Sequence, residues 1–178
     1  MQNFGQHGRE IITSDVALRL LEILSLGADK AAAHTAKDAA ARTAIETVLR
    51  NSVIVITPME NVGGRRLFEG GKLCERKTAH GVDTNRNWPV DWGVKAPDYD
   101  PSEEYPGVRA LSEPEVAILH ESLQKHAPHA WIDVHSGMEA LFMPYDHKAM
   151  IPDGEGEAFA RVGVLSVYLS RVAQSGFH

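Results

Sequence analysis

The chain has one cysteine and no long apolar run, and its first residues do not resemble a secretion signal; each of these lacks narrows what we expect of the protein. Cys74 is the only cysteine among 178 residues, so no disulfide can form within the chain and folding does not depend on an oxidising compartment. No apolar run reaches the ~18–20 residues that a membrane-spanning helix needs. Residues 1–6 lack the basic start and apolar stretch of a signal peptide. We therefore expect no membrane partner, and a cytoplasmic location if the N-terminus is complete.

The chain also has fewer basic than acidic residues. The formal net charge is −6, and lysine and arginine form no tract, so nucleic acid and anionic membranes are poor partner candidates. Hydrophobic residues make up 43% of the chain and charged residues 24%, which is typical of a globular protein. The length predicts one domain, residues 1–178, that buries roughly 70% of its unfolded surface.

The first half of the chain combines helical and strand patterns. Residues 10–26 carry apolar side chains at helical spacing, and Gly27 is a plausible end of that helix. Residues 28–50 are alanine-rich and predicted to be helical in part, with few strong apolar residues, as in a surface insertion. The β-branched run at residues 52–57 predicts a buried strand.

The second half begins with a long segment that predicts little regular structure. Residues 63–106 are rich in glycine and proline, and an ordered loop of this length usually has a function. Ser112 and Glu115 fit a capping box with Pro114 in the first turn, so a helix is predicted from there to about Lys125. Strands are predicted at residues 130–135 and 140–143, and a last helix at residues 157–174. This order of elements predicts an α/β fold.

Three side chains form a candidate metal site. His7 and Glu10 are three residues apart at the start of the first predicted helix, where both side chains could reach one ion from the same helix face. Such a pair is common by chance, and its weight comes from His135 at the end of a predicted strand. Two imidazoles and a carboxylate form the kind of ligand set that a catalytic zinc uses.

The segment between these ligands contains groups suited to binding a carboxylate. Asn85 and Arg86 place an amide beside a guanidinium, whose planar fork matches two carboxylate oxygens. Arg76 is a second cation that could hold an oxyanion, and Asp83 could accept the far N–H of a metal-bound histidine. The alternative is that both arginines are loop cations paired with nearby acids, such as Glu104.

Taken together and in order, these motifs resemble those of the zinc metallocarboxypeptidases of the carboxypeptidase A type, also called funnelins. They are H-G-R-E at residues 7–10, E-R-K-T at 75–78, G-V-D-T-N-R-N-W at 81–88, S-E-P-E at 112–115 and V-H-S at 134–136. The amino-acid sequence at residues 58–61, 74–76 and 136–145 is most similar to that of a plant or algal branch of this family. The resemblance implies an α/β domain with a mixed central sheet flanked by helices.

The resemblance also implies a role for each matching residue. One Zn²⁺ per chain would be bound by His7, Glu10 and His135, with Asp83 orienting His7. The implied substrates are the C-termini of peptides or proteins, and the implied reaction is hydrolysis of the last peptide bond.

The remaining matched residues would act on that substrate. Arg76 would polarise the scissile carbonyl and steady the oxyanion, while Asn85 and Arg86 would hold the terminal carboxylate.

The chain departs from the family after the third ligand. The family has a capping tyrosine and a general-base glutamate there, and no residue among the 43 that follow His135 fits either context. The sequence therefore predicts the central part of a longer domain, with a sheet incomplete at both ends and no activity on its own.

Two other functions remain open from the sequence. A deacylase of N-acyl amino acids, of the aspartoacylase and succinylglutamate desuccinylase type, shares the ligand pattern. An inactive relative that only binds peptides would account for the missing general base.

Overall fold

A computed structural model of the chain describes residues 1–94, 99–138 and 140–142. The chain divides into two compact units, Met1–Gly137 and Met138–His178, and every element given below lies in the first. The expectation that residues 1–178 belong to one domain remains a prediction. None of the helices within the described residues has the length and apolar character needed to cross a membrane.

Three short parallel strands form the sheet, and helices make up most of the remaining regular structure. The sheet has the order β2-β1-β3, with Asn3 of β1 opposite Thr57 on one side and Asp133 on the other. The α/β class predicted from the sequence is thus confirmed. The elements are β1 (Gln2–Asn3), α1 (Ile11–Ser25), α2 (Ala28–Thr35), α3 (Ala39–Asn51), β2 (Ile56–Thr57), α4 (Val62–Glu69), a 3-10 turn (Thr84–Arg86), α5 (Pro114–His126) and β3 (Ile132–Asp133).

The β-branched run at residues 52–57 is a strand only at its end. Val53 is 88% exposed and Ile54 is 38% exposed, so the prediction of a buried strand over the whole run is wrong. Within the described residues, β2 pairs with β1 only at Ile56 and Thr57, opposite Gln2 and Asn3. A β-branched run without a neighbouring strand has no ladder to join.

The helices predicted in the first third are present. Helix α1 ends at Ser25, and Gly27 follows with a φ of +88°, a conformation that glycine adopts without steric cost. The alanine-rich segment forms α2 and α3, as predicted in part. No residue of α3 is buried, although the helix carries Ile45, Val48 and Leu49, the one strong apolar cluster of this segment.

The long predicted loop contains one helix that the sequence did not indicate. Helix α4 includes Gly63 and Gly64, which usually weaken a helix. The start of the helix is stabilised by a hydrogen bond, since the Asn61 side chain accepts from the Gly64 N–H at 2.7 Å. A larger residue would not fit at position 64, because a Cβ there would collide with the Lys77 carbonyl oxygen. The glycine is therefore required for close approach of two main chains.

Helix α5 begins one residue later than the predicted capping box. Its N-cap is Glu113, without a side-chain cap, and Pro114 occupies the first turn as expected. The Ser112 hydroxyl instead donates to Glu113 at 3.0 Å and lies 2.9 Å from the amide nitrogen of Asn87. A tertiary contact thus displaces the local cap.

The last part of the chain is described only in places. β3 covers the middle of the strand predicted at residues 130–135. Residues 140–142 are not in a strand, so the prediction of a strand there is wrong for these three positions. Residue 143 and the helix predicted at 157–174 lie outside the described residues.

The interior of the described unit is unusually polar. Its buried apolar residues are few and mostly small: Phe4, Ala17, Ala31, Ala32, Val82, Val116 and Leu119. Among the larger fully buried side chains, most are amides, hydroxyls or carboxylates, including Asn3, Gln6, Asn61, Asp83 and Asn87. Buried polar groups are costly unless they are hydrogen-bonded, so their contacts show what this interior is built to hold.

Candidate metal centre

The first two predicted ligands lie in a tight turn between β1 and α1. The Glu10 N–H donates to the His7 carbonyl at 3.1 Å, and Glu10 is the N-cap of α1. The prediction that both side chains share a helix face is therefore wrong in its geometry, because neither residue is inside the helix. A turn closed over three residues brings the two side chains together just as effectively.

The turn is fixed from both sides by its neighbours. The Thr13 hydroxyl donates to the Glu10 carbonyl at 2.8 Å and accepts from the Gly5 N–H at 3.0 Å. On the other side, the Gly8 N–H donates to the Arg76 carbonyl at 3.3 Å. A Cβ at Gly8 would stand only 2.5 Å from the carbonyl carbon and oxygen of Gly64, so this position too requires glycine.

Three ligand atoms converge at the end of β1 and β3. The carboxylate oxygens of Glu10 lie 2.7 Å from Nδ1 of His7 and 3.0 Å from Nδ1 of His135. One ligand atom from each of these residues lies within 4.8 Å of the others. His7 and Glu10 are buried, whereas the His135 side chain is 34% exposed. The arrangement fits an ion bound by two imidazoles and one carboxylate and reached from the His135 side.

The far nitrogen of His7 is held by an aspartate. Nε2 of His7 lies 3.1 Å from Oδ1 of Asp83, and the other oxygen of Asp83 accepts from Nε and Nη2 of Arg76 at 2.9 and 2.8 Å. Burial would raise the pKa of Asp83, but the bond to His7 and the charge of Arg76 outweigh it and lower that pKa. Asp83 is therefore a carboxylate that holds the Nε2 side of the His7 ring and directs Nδ1 toward Glu10.

The two other ligands have opposite pKa shifts. Burial would raise the pKa of Glu10, but hydrogen bonds from His135 and His7 outweigh it and lower the pKa to about 2. Partial burial would lower the pKa of His135, but its contacts with the carboxylates of Asp133 and Glu10 raise it to about 10. At neutral pH the carboxylate is thus ready to bind a cation, while His135 must first release a proton.

The predicted fingerprint loop is anchored directly to the ligand turn. The Thr84 hydroxyl donates to the Gln6 carbonyl at 3.2 Å, and the Asp83 N–H donates to the Tyr105 carbonyl at 2.9 Å. Trp88 meets Trp131, just before β3, edge to face with ring centroids 5.1 Å apart. The loop therefore contacts both chain segments that carry the ligands.

Arg76 and Arg86 occupy different positions relative to the ligands. Arg76 is mostly buried, and its Nη1 is 3.4 Å from Nδ1 of His7, so it belongs to the ligand cluster. Arg86 is half-exposed and forms an ion pair with Glu104, as the loop-cation alternative expected. Asn85 is exposed and donates its N–H to Asp83 at 2.9 Å.

Asn87 organises the loop, and sequence reasoning did not single it out. Its Nδ2 lies 2.7 Å from the Pro106 carbonyl, 3.0 Å from the Arg109 carbonyl and 2.9 Å from the Ser112 hydroxyl, and its Oδ1 accepts from the Glu113 N–H at 3.1 Å. The only sequence signal was its place in the N-R-N-W motif, in which roles were predicted for Asn85 and Arg86 alone.

Sequence comparisons place the chain beside known peptidases. A family model described as zinc carboxypeptidase matches residues 3–173. Carboxypeptidase A6 from Homo sapiens is 33% identical over 141 residues, which is 70% of this chain and 32% of that protein. Carboxypeptidase A2 from Rattus norvegicus is 30% identical over 163 residues, which is 86% of this chain and 36% of that protein. The chain thus spans about a third of the length of these curated relatives.

Solved structures show the same fold. The crystal structure of thrombin activatable fibrinolysis inhibitor matches with a TM-score of 0.74 and 22% identity, over 99% of this chain and 44% of that one. The bovine form, in complex with tick carboxypeptidase inhibitor, matches with a TM-score of 0.69 and 24% identity, over 90% of this chain and 53% of that one. At these identities the likeness concerns the fold alone.

Proposed function

Because the chain belongs to the zinc carboxypeptidase family, we propose that it supplies the metal-binding part of an enzyme that hydrolyses the C-terminal peptide bond of peptides or proteins. In this proposal His7, Glu10 and His135 bind one zinc ion. The observation that carries it is the convergence of two imidazole nitrogens and a carboxylate oxygen within 4.8 Å. The matching family model and relatives are carboxypeptidases, so the deacylase alternative gains no support.

The residues around the ion site have separate tasks in this proposal. Bound zinc provides a Lewis acid and lowers the pKa of a bound water to about 7. Glu10 offers a carboxylate that is already charged at neutral pH. Asp83 holds the His7 ring by its Nε2, which leaves the Nδ1 lone pair for the metal. Asp83 also fixes the Arg76 guanidinium beside the ligands, where its positive charge can stabilise an oxyanion.

Recognition of the substrate carboxylate falls to Asn85 and Arg86 in this proposal. Their partly exposed position lets a peptide reach them, and the guanidinium fork suits two carboxylate oxygens. The Glu104 carboxylate pairs with Arg86, so an incoming C-terminus has to compete with it. A peptide whose C-terminus is amidated lacks the charge needed for that competition.

Zinc titration of the metal-free chain tests the first part of the proposal. We expect one zinc per chain, and we expect His135→Ala and Glu10→Ala to weaken binding beyond the roughly 10–100-fold cost of losing an outer partner. His126→Ala is the matched control, because His126 is an exposed histidine at the end of α5. Absence of zinc binding, or an equal loss in the control, would contradict the proposed site.

Peptide binding and turnover test the second part. We expect the zinc-loaded chain to prefer a peptide with a free C-terminus over the same peptide amidated, and Arg86→Gln to remove that preference. Because this chain alone is expected to be inactive, turnover is measured in a chain extended to complete ends, where binding without turnover would favour the inactive peptide-binding relative. Turnover of an acyl-aspartate but not of the peptide would favour the deacylase.

A further inference from the structure

The far nitrogen of His135 faces a second aspartate. Nε2 of His135 lies 3.7 Å from Oδ2 of Asp133. We propose that Asp133, itself held by Asn3, is a positioning residue for His135, as Asp83 is for His7. This inference rests on the proposed function, because it concerns how a metal ligand is oriented.

The strand geometry places the two side chains on the same side. Asp133 and His135 are two residues apart along β3 and its continuation, and side chains at that spacing point to one face of a strand. The present separation of 3.7 Å is that of an ion pair, and a shift of about 0.5 Å would bring it to hydrogen-bond length. The contact therefore needs no rearrangement of the main chain.

The neighbouring strand fixes the aspartate. Asn3 is the register partner of Asp133, and its side-chain amide donates to Oδ1 of Asp133 at 3.1 Å. This bond takes one carboxylate oxygen and leaves Oδ2 for His135. The same amide nitrogen lies 2.5 Å from Oε2 of Glu60, and the Glu60 N–H donates to the Phe4 carbonyl at 2.9 Å.

Burying the polar side chains of Asn3 and Glu60 costs stability, and this cost indicates a functional reason for their presence. Asn3 is fully buried and Glu60 is 6% exposed, yet Oδ1 of Asn3 and Oε1 of Glu60 lack hydrogen-bond partners among the described residues. An unsatisfied buried polar atom is destabilising. A sheet built for stability alone would have apolar side chains here, so these groups are explained by what they orient.

The two imidazoles are therefore supported in parallel ways. Each has Nδ1 directed toward Glu10 and Nε2 facing an aspartate. Such outer partners set the orientation and basicity of a ligating histidine. Asp83 is fully buried, whereas the Asp133 side chain is 19% exposed, so the His135 partner is the one more open to solvent.

The test measures zinc affinity by chelator competition in the full chain with Asp133→Asn, which removes the charge and keeps the shape. We expect binding to weaken about 10–100-fold, and we expect the visible absorption of the Co²⁺-loaded chain to change, because the orientation of one ligand changes. Asp83→Asn is the positive control. Asp15→Asn, the same substitution at an exposed position of α1, is the neutral control.

Asp133→Ser gives a second variant in case the amide disturbs β3, and circular dichroism verifies folding of both. If the variants bind zinc within threefold of the unmodified chain and keep its Co²⁺ spectrum, the inference is overturned while the proposed zinc site stands. If the unmodified chain binds no zinc, both fall. A loss of affinity equal to that of Asp15→Asn also overturns the inference.

Discussion

The loop region, residues 58–113, and the helical pair α2–α3 are opposite in character. Within its described residues the loop region has one two-turn helix and a single 3-10 turn, yet Asn61, Asp83 and Asn87 in it are fully buried and hydrogen-bonded. The helical pair is regular along most of its length, yet α3 buries no residue. The side-chain hydrogen bonds of α3 are local, as between Thr47 and Thr43 at 2.7 Å, while His34 of α2 contacts Arg19 of α1 at 3.3 Å.

The difference teaches that regular secondary structure does not measure how firmly a segment is held. Local bonds in a helix depend little on the rest of the protein, whereas bonds between distant residues fix one segment against another. The loop region uses distant bonds, such as Asp83 with His7 and Thr84 with Gln6. Substitutions should therefore have large effects in the loops and small effects in α3.

The largest loss of stability in the loop region is expected from Asn87→Ala. The substitution leaves the Glu113 N–H and three oxygen acceptors without their partner, and each buried group left unsatisfied costs about 1–3 kcal/mol. We expect the free energy of unfolding to fall by about 4 kcal/mol in urea titration.

Asn51→Ala in α3 is the control, because Asn51 is exposed and its amide bonds only the Thr47 carbonyl at 2.7 Å. Its effect should stay below about 1 kcal/mol. Equal effects of the two substitutions would mean that the loop bonds are no more important than the local ones.

Glu60, in the loop region, should make the stability of the chain depend on pH. Burial raises the pKa of Glu60 from 4.5 to about 7. Between these values the unfolded chain has lost the proton and the folded chain keeps it, so the stability of the metal-free chain falls as pH rises through this window. By the size of the shift, this loss is about 3 kcal/mol.

Glu60→Gln should remove that loss, so its stability advantage over the unmodified chain grows between pH 4 and pH 8. Urea denaturation of both proteins at several pH values measures it. A Glu60→Gln difference that is constant with pH would show that the carboxyl is already ionised in the folded chain.

The smallest effect is expected from Val48→Lys on α3. Val48 is 58% exposed, and surface substitutions usually change stability by less than about 0.5 kcal/mol. Ala32→Lys on α2 is the contrast, since Ala32 is fully buried and a lysine there must bury its charge. A shift of the melting temperature by Val48→Lys as large as that of Ala32→Lys would show that α3 is covered in solution.

The sequence indicated the α/β class, the first helix with its end at Gly27, and the three candidate metal ligands whose side chains converge. These features depend on local pattern or on motif identity. The extent of β2 was not predictable, because it depends on which strand lies opposite. Helix α4 was missed because its two glycines are explained only by main-chain contacts with distant segments. Asn87 was missed because its side-chain partners lie 19–26 residues away in the chain, which no local pattern reveals.

The glycine contacts at the ligand turn also have a consequence for motion. At Gly8 and Gly64 the main chains of three segments touch with no side chain between them, and these segments carry His7, helix α4 and Arg76. Side chains between packed segments change rotamers on the picosecond to nanosecond scale and so absorb displacements, but a contact between main chains has no such freedom. We therefore expect the three segments to fluctuate together, so that the separation of Arg76 from His7 varies less than the distance of the more exposed His135 from either.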